Sequence, residues 1–308
     1  MLELSHVSFS GHETFPFRTG WLKKGYEAAK NHPRFFLDQD TAMTLLGVGK
    51  NMVRSIRHWC LATKIVEETT RVGIKGLYPT ELGTLILDDF DPYLEDLGTL
   101  WILHWRLVTH AEKATTWYAV FSGWFQTEFT KDELVHFIGD RLAENGHNGT
   151  AESSLKRDVD CFVRTYVPAR ATANLLLEDA LDCPLTELNL VVELSDRKTF
   201  RFERSSHPTL PDLVLAYVLQ DFWNTTAPDR ESLSFEDVMY KPGSPGRVLR
   251  IEENAMLERL EHMELVTQGH FSFVTSSGLK QLLRGRRRLD RPEAFLEEYY
   301  SRLRGDWV

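Results

Sequence analysis

The stretch from residue 41 to residue 64 constrains this chain most. Asp40 reads as a cap, Thr41 to Leu46 as a short helix, Gly47-Val48-Gly49 as a turn, and about Lys50 to Lys64 as a second helix. In helical projection Met52, Val53, Ile56, Trp59 and Cys60 share one face, with Leu61 out of pattern. Lys50, Asn51, Arg54, Arg57 and His58 share the opposite face. An apolar stripe must be buried against a neighbour, and a basic stripe is left for solvent or a polyanion. Helix, glycine turn and amphipathic basic helix together form the helix-turn-helix pattern. A wing follows: Ile65 to Glu68 and Gly76 to Tyr78 pair around the tip Arg71-Val72-Gly73-Ile74-Lys75. Thr80-Glu81-Leu82-Gly83 then opens a helix that ends near Leu87, and Asp88 to Pro92 closes the unit.

The C-terminal part carries an echo. Glu253 to Glu264 is amphipathic, Leu265-Val266 and Phe271 to Val274 read as a hairpin, and Thr275-Ser276-Ser277-Gly278 aligns with Thr80 to Gly83. Between the two units the chain reads as helices at 97–109, 116–129, 131–145, 152–166 and 213–223, with a small hairpin from Leu188 to Glu203. The expected fold class is mainly α (α+β): winged-helix units packed with a helical middle region and small β-hairpins. Three domains are expected: 1–92 with the N-terminal motif and the first winged helix, 93–230 mostly helical, and 231–308 winged-helix-like.

The net charge of −9 argues against an indiscriminate polyanion binder, but its distribution is uneven. Residues 41–78 and residues 280–304 are each +4, which leaves the remainder at −17. Such a pattern suits a local, docked contact with duplex DNA. Lys50, Asn51, Arg54, Arg57, His58, Arg71 and Lys75 are the expected contacts, with Arg286 and Arg287 as a second patch or as solvated charge opposite Glu293, Glu297 and Glu298. The three cysteines, Cys60, Cys161 and Cys183, form no CxxC pair, so neither a disulfide framework nor a thiolate zinc site is indicated. No apolar run has the length of a membrane span, and the N-terminus lacks signal-peptide regions, so a cytoplasmic protein is expected.

The chemistry-bearing stretch is Phe9-Ser10-Gly11-His12-Glu13-Thr14-Phe15-Pro16-Phe17-Arg18. His12 offers a base, Glu13 a carboxylate for Mg²⁺ or Mn²⁺, and Arg18 a phosphate clamp, which are the parts for phosphodiester chemistry. The plainer reading is an internal Glu13–Arg18 ion pair under aromatic packing, with His12 satisfied by backbone. Asp158 and Asp160 lie two apart on a helix and so make a poor metal pair. No Gly-x4-Gly-Lys-Ser/Thr loop is present, and no nucleotide or organic cofactor is expected.

The opening run resembles the N-terminal signature of a bacterial domain-of-unknown-function family, through Phe9, Gly11, His12, Glu13, Thr14, Phe15 and Arg18, with the winged-helix segment and an aromatic C-terminal helix ending Tyr299-Tyr300 in support. Members of that family occur in anti-phage defence islands with DNA phosphorothioation components. The resemblance implies a DNA-nicking component of a single-strand phosphorothioation system. Its implied partners are a cysteine desulfurase, a P-loop ATPase and a phosphosulfate-reductase-like protein, which would hold the ATP and sulfur chemistry that this chain lacks motifs for. The rival expectation is a non-catalytic winged-helix docking or regulatory subunit. A homodimer is compatible with either.

Overall fold

The computed structural model describes residues 2–169, 183–276, 278–285, 289 and 291–305. Arg286 and Arg287, the expected second patch, lie outside the described residues. Backbone contacts gather the chain into two compact units, Met1–Glu203 and Arg204–Val308. The segment 1–92 belongs to the first unit together with the helices that follow it. Helices dominate, with three small antiparallel sheets, so the fold is mainly α with β additions.

The first unit begins with α1 (Trp21–Asn31), α2 (Gln39–Leu46) and α3 (Lys50–Ala62). Helix α2 starts two residues earlier than the sequence implied. Asp38, rather than Asp40, is its cap, and its carboxylate accepts from the Thr41 N–H at 3.2 Å. Gly47, at φ 65°, ends the helix in the left-handed region that glycine tolerates. The hairpin β1 (Val66–Arg71) and β2 (Ile74–Pro79) follows, paired from Val66↔Pro79 to Arg71↔Ile74. Thr80 caps α4 (Glu81–Thr84), which runs into a π-helical stretch, Leu85–Phe90. Helix α1 packs against α3 and β2, so the helix-turn-helix elements and the hairpin share one small core.

Next come α5 (Leu97–Val108), α6 (Thr115–Gly123), β3 (Glu128–Thr130), α7 (Lys131–Glu144), α8 (Glu152–Tyr166), β4 (Val191–Glu193) and β5 (Thr199–Phe202). The helix expected over 116–129 stops at Gly123, because the chain extends to add β3 beside β5. A third strand thus joins the expected hairpin, in the order β3-β5-β4. Helix α5 is buried from Gly98 to Val108 on every face. Its own Trp101 and Trp105 are fully buried, as are Trp59, Trp117, Phe121, Phe129, Phe162 and Tyr166 of the same unit. Burial of such side chains contributes about 1.5–3 kcal/mol each.

The second unit holds α9 (Asp212–Thr226), β6 (Ser232–Ser234), α10 (Phe235–Tyr240), α11 (Pro245–Val248), α12 (Glu253–Val266), β7 (Phe271–Ser276), β8 (Leu279–Arg284) and α13 (Glu293–Arg304). Helix α9 packs against α13, and Phe271 stacks between Trp223 (5.9 Å) and Phe295 (5.7 Å). The structure corrects the internal echo here. Leu265 and Val266 end α12, and the hairpin is β7–β8. Thr275 and Ser276 lie within β7, so nothing like the Thr80 helix cap occurs at this point. Gly278, at φ 82°, helps to reverse the chain, and the run Leu279 to Arg284 pairs as a strand instead of coiling.

Candidate nucleic-acid interface and motif loop

The motif loop is folded by its backbone demands. The Glu13 N–H donates to Ser10 O (3.0 Å) and the Phe15 N–H to His12 O (2.9 Å), giving two successive tight turns. These turns place Ser10 (φ 61°), Glu13 (φ 48°) and Thr14 (φ 70°) in the left-handed region, which is costly for residues with a Cβ. Surrounding contacts hold the strained loop. Ser55 of α3 donates its hydroxyl to His12 O (2.9 Å), and Trp59 of α3 donates its indole N–H to Phe15 O (2.9 Å). Arg164 of α8 donates to Thr14 O.

Asp158 of α8 is the centre of the arrangement. Its Oδ1 accepts from the Ser10 N–H (2.6 Å) and lies 3.0 Å from His12 Nε2, while Oδ2 accepts from the Thr116 hydroxyl (3.2 Å). His12 Nδ1 accepts from the Thr14 N–H at 3.0 Å, so the ring proton sits on Nε2 and is donated to Asp158. His12 is 1% exposed and stacks on Trp59 and Trp117. Both of its nitrogens are engaged, which leaves no lone pair for a base or a metal ligand. The expected catalytic role of His12 is therefore revised to that of an anchor.

Gly11 faces His58 of α3. A Cβ at Gly11 would lie 2.5 Å from His58 Nδ1, so the glycine is required by close approach. His58 turns from the expected outer face toward His12 and Trp59, with ring centroids at 5.9 Å and 5.2 Å. An edge of the residue reaches solvent, but Nε2 is enclosed and has no hydrogen-bond partner among the described residues. Burial pushes its pKa down to about 3, reinforced by His12 and Lys113. His58 is thus removed from the DNA-contact set. Gly11→Ala is expected to force this ring out and destabilise the first unit by about 1–3 kcal/mol, as overpacking does. A urea melt followed by tryptophan fluorescence checks it, and an unchanged midpoint would show that the loop yields freely.

Glu13 and Arg18 do not form the ion pair that the plainer reading expected. Glu13 Oε1 lies 3.3 Å from Arg54 Nη1 of α3, with both side chains partly exposed. The Arg18 guanidinium sits over the rings of Trp21 (5.4 Å) and Phe15 (6.0 Å). Among the described residues no group of three His, Cys, Asp or Glu side chains could hold a metal ion. Asp158 is buried and engaged by three donors. Glu13 fits a divalent cation only as a single carboxylate, with waters and phosphate oxygens completing the shell.

The basic face is more self-neutralised than its composition implied. Arg54 pairs with Glu13, Arg57 with Glu68 (3.2 Å) and Arg71 with Glu67 (3.0 Å). Lys50, Asn51 and Lys75 are exposed, and among the described residues no acidic partner is seen for them. Surface pairs of this kind contribute about 0–1 kcal/mol each, so they orient the arginines without committing them. Lys75 and Arg57 also line a groove of about 270 Å³ with Arg34, Phe36 and Leu37.

Residues 9–300 match the family model described as a protein of unknown function (DUF4007). The chain belongs to this family. A crystal structure of SspB is similar at 34% identity and a TM-score of 0.86, covering 97% of this chain and 89% of that one. A magnesium-ion-bound crystal structure of SspB is similar at 35% identity, with the same TM-score and coverage. No curated protein matches the chain. No helix of the described residues is long and apolar enough to cross a membrane. Sequence reasoning missed Asp158, Ser55 and Thr116 as parts of the motif site in this DUF4007 member. The buried face of α8 was the available signal, since Asp158 falls on the side shared with Leu155 and Phe162.

Proposed function

We propose that the protein is the DNA-binding, DNA-nicking component of a bacterial DNA phosphorothioation defence system, working beside a P-loop ATPase and sulfur-transfer proteins. The observation that carries this reading is the likeness to SspB across nearly the whole chain, at 34% and 35% identity. The family resemblance of the opening motif, with its implied place among phosphorothioation components, supports it.

In this proposal α2, α3 and the β1–β2 hairpin act as a winged helix. Lys50 and Asn51, at the exposed start of α3, meet the major groove, and Arg57, Arg71 and Lys75 meet phosphates. Phosphate competes with Glu13 for Arg54, because a bidentate guanidinium–phosphate pair outmatches a long, exposed ion pair. Arg54 then leaves Glu13, and the released carboxylate is the residue that would hold a divalent cation. The magnesium-ion-bound structure of the similar SspB supports a divalent cation, and the choice of Glu13 rests on the geometry of this loop. When bound, such a cation supplies Lewis acidity at the phosphoryl oxygens. Arg18, stiffened by its aromatic platform, clamps a neighbouring phosphate. His12 and Asp158 keep the strained loop in place.

Supercoiled plasmid incubated with pure protein and Mg²⁺ or Mn²⁺ is expected to give open circles, suppressed by chelator. Glu13→Gln is expected to slow this at least about a hundredfold, as loss of a metal-holding or charge-stabilising group does. The engaged arginines and the lone carboxylate favour one alternative, a non-catalytic docking subunit. Salt-sensitive duplex binding without scission would select it.

A further inference from the structure

The tip of the β1–β2 hairpin breaks a local rule without structural compensation. Arg71 pairs with Ile74, so Val72 and Gly73 are the two central residues of the turn, at φ 48° and φ 76°. This two-residue turn calls for Asn, Asp or Gly at both places, and a β-branched residue at positive φ is strongly disfavoured. Val72 repays none of that cost by packing, since it is 101% exposed. Ile74 beside it is 45% exposed. Strain combined with exposed apolar surface at a site that stabilises nothing marks a contact made with another molecule.

The rest of the tip is stiff. Tyr78 donates its hydroxyl to Ile74 O (2.9 Å) and Arg71 O (3.4 Å), and the Arg71 guanidinium lies 4.7 Å from the Tyr78 ring centroid. The acidic residues of the hairpin, Glu67 and Glu68, are set back near its base opposite Tyr78 and Leu77. The Arg71 guanidinium is drawn back onto Glu67 (3.0 Å) and Pro79 O (3.1 Å), so Lys75 is the charge that stands exposed beside the apolar pair. The hairpin is tied to α3 by Arg57–Glu68, which places the tip on the same unit as Lys50 and Asn51.

We propose that this tip enters the minor groove of duplex DNA, with Val72 and Ile74 as an apolar wedge beside Lys75 and with Arg71 exchanging Glu67 for a phosphate. A two-residue turn is a narrow end for a ribbon and suits a groove about 6 Å wide. Minor-groove proteins use such a combination, basic residues for the backbone and an apolar side chain that unstacks a base step and kinks the duplex by roughly 20–90°. A lipid surface is the poorer occupant, because two side chains bury too little apolar area to anchor a protein. The inference deepens the DNA-binding reading proposed above and rests on it.

The test uses the full chain and an end-labelled mixed-sequence duplex of about 30 base pairs, a length over which a bend shortens the end-to-end distance measurably. Binding is followed by anisotropy and bending by energy transfer. Val72→Asn suits the turn better than valine and is expected to raise the Tm by about 2 °C, so a structural role for Val72 would show in the opposite sense. Val72→Asn with Ile74→Thr is expected to weaken duplex binding about tenfold and abolish the bend. Netropsin, which fills the minor groove, is expected to compete with the unaltered protein. Wild-type binding and bending by the double variant would overturn the wedge, as would a loss confined to phosphatidylglycerol vesicles. A Lys50→Ala, Asn51→Ala variant separates the two readings. If it loses duplex affinity while the tip variant does not, DNA binding stands and the wedge falls. If the unaltered protein shows no salt-sensitive duplex binding, both fall.

Discussion

Asp158→Ala is expected to lower the stability of the first unit by about 3–5 kcal/mol, the usual cost of leaving buried polar partners stranded. The side chain is 1% exposed and serves three donors at once: the Ser10 N–H, His12 Nε2 and the Thr116 hydroxyl. Its loss would release a loop that holds Ser10, Glu13 and Thr14 at positive φ, so the strain stored there drives the loop away from α3. Asp158→Asn keeps an acceptor oxygen and is expected to cost less. Urea melts followed by tryptophan emission report on this unit, which contains Trp59, Trp101, Trp105 and Trp117. A loss below about 1 kcal/mol for the alanine variant would show that the loop is held by Ser55, Trp59 and Arg164 alone. The same variant is expected to lose duplex affinity, because Glu13 and Arg54 would no longer be presented together.

Acid should unfold this protein from an unusually high pH. The His58 pKa falls from 6.5 to about 3 on folding, because the ring is enclosed beside His12. Below 6.5 the unfolded chain takes up a proton that the folded chain refuses until near 3. The contribution of neutral His58 is therefore complete above 6.5 and drains away as pH falls through that window. The total is a few kcal/mol, accumulating at up to about 1.4 kcal/mol per pH unit. His110, in the same unit, is also pushed down by burial and adds to the slope, as does His207 in the second unit. Urea midpoints measured between pH 7.5 and pH 5 should fall steadily for the wild type and less steeply for His58→Gln. Identical slopes in the two proteins would show that His58 does not govern the effect.

Periodicity made the helices readable where one face is apolar. Helix α8 begins and ends where its stripe predicts, and α3 stops two residues short of the expected end. What it could not reveal were the polar partners. Asp158 lies 146 residues from His12, and a carboxylate on a helix reads as solvated until the fold closes over it. Charge counting failed for a related reason. Glu67 and Glu68 were weighed against the basic residues as a sum, whereas in space each takes a particular arginine. His58 was assigned outward by its angle on the helix wheel, yet the glycine at position 11 leaves a space that draws the ring inward. The C-terminal echo failed because a short mixed segment such as Leu279 to Arg284 suits a strand as well as a helix, and pairing with β6 and β7 decides it.

The enclosed cysteines have a chemical consequence for the proposed setting. Cys60, Cys161 and Cys183 are buried, and burial pushes the Cys60 thiol up to about 12 and Cys161 well above its ordinary range. A thiol of that kind is a poor nucleophile, because only the thiolate attacks. A component stationed beside partners that pass activated sulfur toward DNA would thus be a bystander to it, because its three thiols would not compete for the transferred atom.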